Sequence, residues 1–212
     1  MNKKEETFFK IPTKEEAEII VMSAYNENPS PWLDHCKVTA RVAEKIASMC
    51  GLNTDRAYVS GLLHDIGYSK YLNGKGKSCH IYIGYELMKE KGYESIANIC
   101  LSHSFFYQDI RAYGGSDMNC SEEEIKQIKN FLKNTIFDDY DKLIQLSDSL
   151  GPSQGVCIIE QRIVDVTKRH GFNDFTIKRW NSLMELKKYF DNKCGMNIYN
   201  LFKEEIGKYI FD

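Results

Sequence analysis

The sequence predicts an all-α fold. Helical periodicity runs from end to end, only four prolines interrupt it, and no repeat or low-complexity tract appears. At 212 residues the chain falls within the range of one large domain or two small ones and is long enough to bury a sizeable core; we read it as one domain.

Thr13 and Glu16 have capping-box spacing and open a helix through Ala17, Ile20 and Ala24, which the stretch Asn28-Pro29-Ser30-Pro31 stops. A second helix is predicted from about Pro31 to Cys50, with Gly51 as its C-terminal stop. Val38, Val42 and Ile46 follow His35 at offsets of three, seven and eleven, which puts His35 on the buried face. The third helix, roughly Asp55 to Ile66, carries Ala57, Val59, Leu62, Leu63 and Ile66 on nearly all sides, as expected of an enclosed element. It holds His64 and Asp65 in its last turn, before Gly67.

A loop rich in Gly and Lys (Lys70, Gly74, Lys75, Gly76, Lys77) leads to a helix that starts near His80, where Gly84 would let another helix approach closely. Glu94 to Ser102 is again helical, and its stripe of Ile96, Ile99 and Cys100 reaches His103, a fourth inward imidazole. Ser104 to Cys120 is aromatic and glycine-containing, suited to covering a site, and Ser121 with Glu124 forms another capping box. A helix from about Asp139 to Leu150 ends at Gly151-Pro152, with Asp148 at the edge of an apolar face of Tyr140, Leu143, Ile144 and Ser147. Three further stretches, about Val156 to His170, Asn173 to Asn192 and Asn197 to Ile210, present apolar faces without an obvious ligand set and are expected to pack.

The hydrophobic and charged fractions, 42% and 27%, are ordinary for a globular protein. A formal charge of -2 and a pI near 6.2 give no global attraction to nucleic acid or anionic membrane, so a small substrate is expected, with neither of those as partner. Seven scattered cysteines without a Cys-x-x-Cys pair signal neither a disulfide framework nor a thiolate zinc site, and fit a reducing cytoplasm. No signal-peptide pattern and no run of about 18 apolar residues occurs, so the chain reads as soluble.

His35, His64, Asp65, His80, His103 and Asp148 are the candidate metal ligands. Imidazole with carboxylate favours a divalent ion such as Fe, Mn, Co, Ni or Zn, with Mg served by fewer imidazoles. His64 and Asp65 lie about 100° apart around a helix, so both reach one ion only if it sits beyond the last turn, where the carboxylate is also able to bridge two ions.

The order His35, His64-Asp65, distant Asp148 resembles the HD-domain superfamily of metal-dependent phosphohydrolases. HCKVTARVAEKIA, GLLHDIGYSK, HIYIGYELMKEKG, ICLSH and LIQLSDSL each look like family segments in family order, across residues 30 to 170. The resemblance implies a single-domain orthogonal helical bundle. Residues 1–28 would form an N-terminal helix on the core, 29–170 the metal-binding helical domain, and 171–212 the helices completing it. It implies one ion on His35, His64, Asp65 and Asp148 and another on Asp65, His80 and His103, with His64 and Asp65 the catalytic pair and a metal-activated water attacking phosphorus. A single ion, with His80 and His103 donating hydrogen bonds to phosphate, is the alternative.

Many relatives place a lysine where this chain has Tyr68, so Lys70, Lys75 and Arg111 become the candidates for contacting phosphate. His170 is read as structural at a helix C-terminus, and Arg162 and Arg169 as surface residues. The expected activity is hydrolysis of a nucleotide or another small phosphate ester. The alternatives are a mixed-valent di-iron oxygenase and a catalytically inactive domain that binds a nucleotide or a partner.

Overall fold

The computed structural model describes residues 10–71, 78–114 and 118–211, and among these it is an all-α orthogonal bundle without a strand. Its helices are α1 (Lys14–Glu27), α2 (Trp32–Cys50), α3 (Thr54–Leu63), α4 (His80–Glu90), α5 (Glu94–Ser102), α6 (Glu122–Asn134), α7 (Asp139–Leu150), α8 (Ile159–His170), α9 (Thr176–Cys194) and α10 (Lys203–Phe211). Short 3-10 turns occur at Ile66–Ser69, Ile110–Ala112 and Ile198–Phe202. Both predicted capping boxes form, Thr13 with Glu16 on α1 and Ser121 with Glu124 on α6, and Asp138 with Asp141 closes a third on α7. Gly51 ends α2 at φ 71°, a left-handed conformation that glycine adopts without steric cost.

α3 is shorter than its apolar pattern suggests. It stops at Leu63, His64 caps it, and Asp65 (φ -107°, ψ 17°) has already left helical geometry. The reason is geometric: consecutive residues of a continuing helix diverge, and the break lets the His64 and Asp65 side chains turn toward one point. The 3-10 turn that follows is wedged against α4, because a Cβ built on Gly67 would lie 1.9 Å from the His80 carbonyl oxygen and 2.7 Å from the Gly84 nitrogen. Gly61 is equally confined, its Cβ position 2.7 Å from Ala40 Cα, so α3 and α2 touch backbone to backbone. Gly84 admits the close approach expected of it, facing Cys100 of α5.

α2 lies between two buried clusters. Val42, Ala43, Ile46 and Ala47 pack with Leu143, Ile144 and Leu146 of α7 and with Leu183, Leu186 and Phe190 of α9. Leu33, Cys36 and Ala40 pack with Val59, Leu62 and Leu63 of α3 and with Ala17 and Val21 of α1. Phe105, Ile128, Leu132 and Phe137 form a third cluster with Ile81 and Leu101. α5 is tied to α7 by polar bonds: Ser102 Oγ donates to Asp141 Oδ1 at 2.6 Å, and Gln145 Nε2 donates to the Ser102 carbonyl at 3.0 Å. Burial pushes the Asp141 carboxyl up to about 6.

One expectation is corrected here. Cys79 and Cys120 are joined as a disulfide, their Cα atoms 5.4 Å apart. The pair lies 41 residues apart in sequence and meets only because the segment after α5 folds back on the start of α4, which spacing alone does not signal. Cys36, Cys50, Cys100, Cys157 and Cys194 are free thiols. Among the described residues no helix is long and apolar enough to cross a membrane.

Replacing Gly67 by Ala forces a methyl group into backbone that has no flexible side chain to yield. We expect Gly67→Ala to destabilise the fold by about 2–3 kcal/mol or more, read as a lowered urea midpoint. Gly84→Ala, whose Cβ would meet the Cys100 side chain at 3.2 Å and the Gly67 nitrogen at an ordinary 3.4 Å, should cost less. Equal midpoints for wild type and Gly67→Ala would contradict the packing described.

Candidate metal centre

Five helix ends converge on one point. His35 lies in the first turn of α2, His64 caps the C-terminus of α3, His80 is the first residue of α4, His103 caps the C-terminus of α5, and Asp148 lies in the last turn of α7. The C-terminal ends of α3, α5 and α7 present the negative pole of the helix dipole, which favours a cation, against the positive ends of α2 and α4.

Asp65 sits at the centre. Its Oδ2 lies 3.5 Å from His64 Nε2 and 3.6 Å from His35 Nε2, while its Oδ1 lies 3.2 Å from His103 Nε2 and 3.4 Å from His80 Nε2. One carboxylate oxygen therefore faces each pair of imidazoles. Asp65 Oδ1 is buried, and the polar groups facing it are the imidazoles of His103 and His80, whose Nε2 atoms donate to it only when protonated. Asp148 Oδ1 stands 3.1 Å from His35 Nε2.

Backbone carbonyls orient three of the rings. His35 Nδ1 lies 2.6 Å from the Gly151 oxygen, His64 Nδ1 2.7 Å from the Gly61 oxygen, and His103 Nδ1 3.3 Å from the Ile99 oxygen. When Nδ1–H donates to these carbonyls, each Nε2 lone pair is left for an ion, the usual second contact of a ligating histidine. His80 is oriented instead by stacking on Tyr68, ring centres 4.3 Å apart and 12° from parallel.

The electrostatics divide the rings into two kinds. Burial lowers His64 and His80 to about 4, so both are neutral near pH 7. Burial also opposes the charged form of His35 and His103, but the hydrogen bond and charge of Asp148 for the first and of Asp65 for the second outweigh it and raise both. Burial alone would lift the carboxyls of Asp65 and Asp148, yet the surrounding imidazoles hold both well below the usual carboxylate range. Two triads place their donor atoms within 4.8 Å of one another, His35 with His64 and Asp148, and His64 with Asp65 and His103.

The structure thus brings all six expected ligands together. His35, Asp65, His80, His103 and Asp148 line a cavity of about 640 Å³ that also receives Tyr68, Trp32 and Arg162, while His64 lies fully buried behind them. The phosphate-contact candidates fare differently. Lys70 is exposed and does not line the cavity, and Lys75 lies outside the described residues. Arg111 is exposed, paired with Asp109 and laid over the Phe175 ring, its guanidinium carbon 5.1 Å from the centre.

Arg162 is a correction. Its side chain is only 20% exposed and its Nη2 stands 3.6 Å from Asp148 Oδ1, so α8 forms a wall of the site and does more than pack. Arg169 and His170 line the same cavity. The signal was the polar face of α8, where Arg162, Asp165 and Arg169 recur at helical spacing. Tyr68, noted in the sequence only for what it replaces, is the partner of His80.

A set of four imidazoles and two carboxylates, four of the six buried and His35 and Asp148 partly so, at the converging ends of an all-helical bundle is the kind of site that holds divalent metal. The HD domain matches residues 32–152, more than half of the protein, and the chain belongs to that family. HD domains bind divalent metals and fall in a superfamily of metal-dependent phosphohydrolases. Curated relatives share shorter segments. Ribonuclease Y of Opitutus terrae is 42% identical over 69 residues, 32% of this chain and 12% of that protein. Ribonuclease Y of Thermotoga maritima is 40% identical over 82 residues, 38% of this chain and 15% of that protein. Ribonuclease Y of Mesoplasma florum is 34% identical over 74 residues, 35% and 14% respectively. The matched segments thus span about one seventh of these relatives or less. No solved structure matches the chain.

The pKa pattern sets the pH response of the metal-free protein. His64 and His80 bind a proton more readily in the unfolded chain, at about 6.5, so their contribution to stability is complete above that pH and is lost as pH falls toward 4. Asp65 and Asp148 add a further loss below the ordinary carboxylate value. His35 and His103 act oppositely, contributing below pH 6.5 and losing that contribution as pH rises through their raised folded values. In an NMR titration of metal-stripped protein, His64 and His80 should stay neutral to about pH 5 while His35 and His103 titrate above 6.5. Four imidazoles titrating together near 6.5 would contradict this.

Proposed function

We propose that the protein is a metal-dependent phosphohydrolase that releases phosphate from a nucleotide or another small phosphate ester at a dinuclear site. The observation that carries this reading is the split of the Asp65 carboxylate, one oxygen toward His35 and His64 and the other toward His80 and His103. His35, His64, Asp65 and Asp148 would hold one divalent ion, and Asp65, His80 and His103 a second. The donor set suits Fe, Mn, Co, Ni or Zn, with Mg the harder alternative. Ions bound there would supply an activated water as nucleophile and offset the charge of the phosphate oxygens.

The chain's own residues do the rest. Asp65 and Asp148 stay anionic because the imidazoles beside them depress their pKa values, so the two carboxylates keep the charge a divalent ion requires. The carbonyls of Gly151, Gly61 and Ile99 fix the rings of His35, His64 and His103, and Tyr68 fixes that of His80. Arg162, beside Asp148, would pair with a phosphate oxygen as the P–O bond to the leaving group breaks and the bond to water oxygen forms. No side chain is needed as a covalent nucleophile. The likeness to proteins named Ribonuclease Y supports a second reading, RNA as the phosphate-bearing substrate.

The test is phosphate release by the Mn-, Co- and Fe-loaded protein from a panel of nucleotides and phosphomonoesters, with cleavage of single-stranded RNA into shorter fragments followed alongside. Asp65→Asn should lower kcat on the best substrate by more than about 100-fold. Full activity in Asp65→Asn, or no turnover of any panel member by the wild type, would overturn the reading.

A further inference from the structure

The wall of the cavity opposite in kind to the imidazole cluster is cationic. Arg162 and Arg169 of α8 and Arg179 of α9 all line it, and the one carboxylate shared on that wall is Asp165, which pairs with Arg162 at 3.8 Å and Arg169 at 2.9 Å. Arg179 differs from the other two. It is 9% exposed, yet its guanidinium meets only neutral acceptors: the Arg111 carbonyl at 3.4 Å from Nη1, and Asn173 Oδ1 at 3.3 Å and Thr176 Oγ1 at 3.1 Å from Nη2. No carboxylate of the described residues pairs with it, and burial lowers its pKa. A guanidinium offers five donors in a planar fork, and leaving it buried without an anion is unfavourable. Arginines this buried ordinarily carry a carboxylate or phosphate partner.

The volume points the same way. A cavity of about 640 Å³ lies in the range that encloses a whole small ligand, more than one phosphate group at the metal ligands would fill. Beside Arg179 the wall continues into Thr176, His170 and Trp180, which supply hydrogen-bonding groups and an aromatic face. An arginine with only 9% of its surface exposed suits a group that enters the cavity, whereas a polynucleotide would be followed by cations exposed along a track.

We propose that Arg179 forms a second anion subsite in this cavity, so that the substrate is a small phosphate compound bearing two phosphate groups, of the nucleoside diphosphate class. One phosphate would lie at the imidazole cluster and the other on the Arg179 fork, with Thr176 beside it. The substrate assignment rests on the phosphohydrolase reading above; the subsite itself is a binding site and is tested separately.

Wild type and Arg179→Gln, both loaded with Mn, are compared on ADP and on p-nitrophenyl phosphate, which has a single phosphate. The ratio of kcat/KM for ADP to that for p-nitrophenyl phosphate should fall at least tenfold in the variant, carried by KM, with the melting temperature held or raised because an uncompensated buried charge is gone. Equal losses on both substrates, or a fall in melting temperature with the ratio unchanged, would make Arg179 a strut between α9 and the Ile110–Ala112 turn and overturn the proposal. Should Arg179→Gln fail to fold, Arg179→Lys serves: it keeps the charge, loses the fork, and should still lower the ratio, whereas an unchanged ratio counts against the subsite. If the wild type hydrolyses neither compound, the phosphohydrolase reading fails and the subsite is read by calorimetric titration with ADP. Binding weakened at least tenfold by Arg179→Gln supports it, and equal binding overturns it. Preference for a single-stranded oligoribonucleotide over ADP would overturn the small-substrate assignment.

Discussion

Everything in this fold is arranged around one buried carboxylate. Asp65 is 7% exposed and surrounded by four imidazoles, an environment in which an anion is stable only if positive charge is supplied close by. Raising His35 and His103 toward their protonated forms supplies part of that charge, and a bound cation would supply it more completely. Because each Asp65 oxygen faces a different imidazole pair, the carboxylate is poised to be shared.

Holding a carboxylate in that position constrains the backbone far from it. α3 has to end at Leu63 so that His64 and Asp65 aim at one point, which requires the next turn to press against α4. Only a residue without Cβ fits at Gly67, and the same holds at Gly61, where α3 rests on α2. The Ser102–Asp141–Gln145 bonds then fix the end of α5 against α7, so that His103 and Asp148 approach Asp65 from rigid elements. The apolar clusters on both sides of α2 keep these helix ends in register, and α8 and α9 close the cavity with cations facing the acidic and imidazole groups.

Much of this was legible in the sequence, and the reason is local. Helix starts and stops at Thr13, Gly51, Ser121 and Gly151 follow from capping chemistry that acts within a few residues. The inward placement of His35, His80 and His103 follows from helical spacing, and the ligand set from the resemblance its order suggested. What was not legible depends on tertiary approach. The early end of α3 is imposed by α4, the Cys79–Cys120 pair by a segment folding back, and the placement of Arg162 and Arg179 at the cavity by which helix face meets it. Lys70 and Arg111 looked like phosphate ligands because cations near a site suggest anions; folding directs one to solvent and the other to Asp109.

The central claim is that Asp65 joins two ions, and counting and locating the bound metal tests it most directly. Elemental analysis of protein purified with Mn or Fe, combined with a crystal structure from data collected at the metal absorption edge, should find two ions per chain with Asp65 between them. They would be flanked by His35, His64 and Asp148 on one side and by His80 and His103 on the other. A single ion held by His35, His64 and Asp148, with His80 and His103 free of metal in the fully loaded protein, would contradict it.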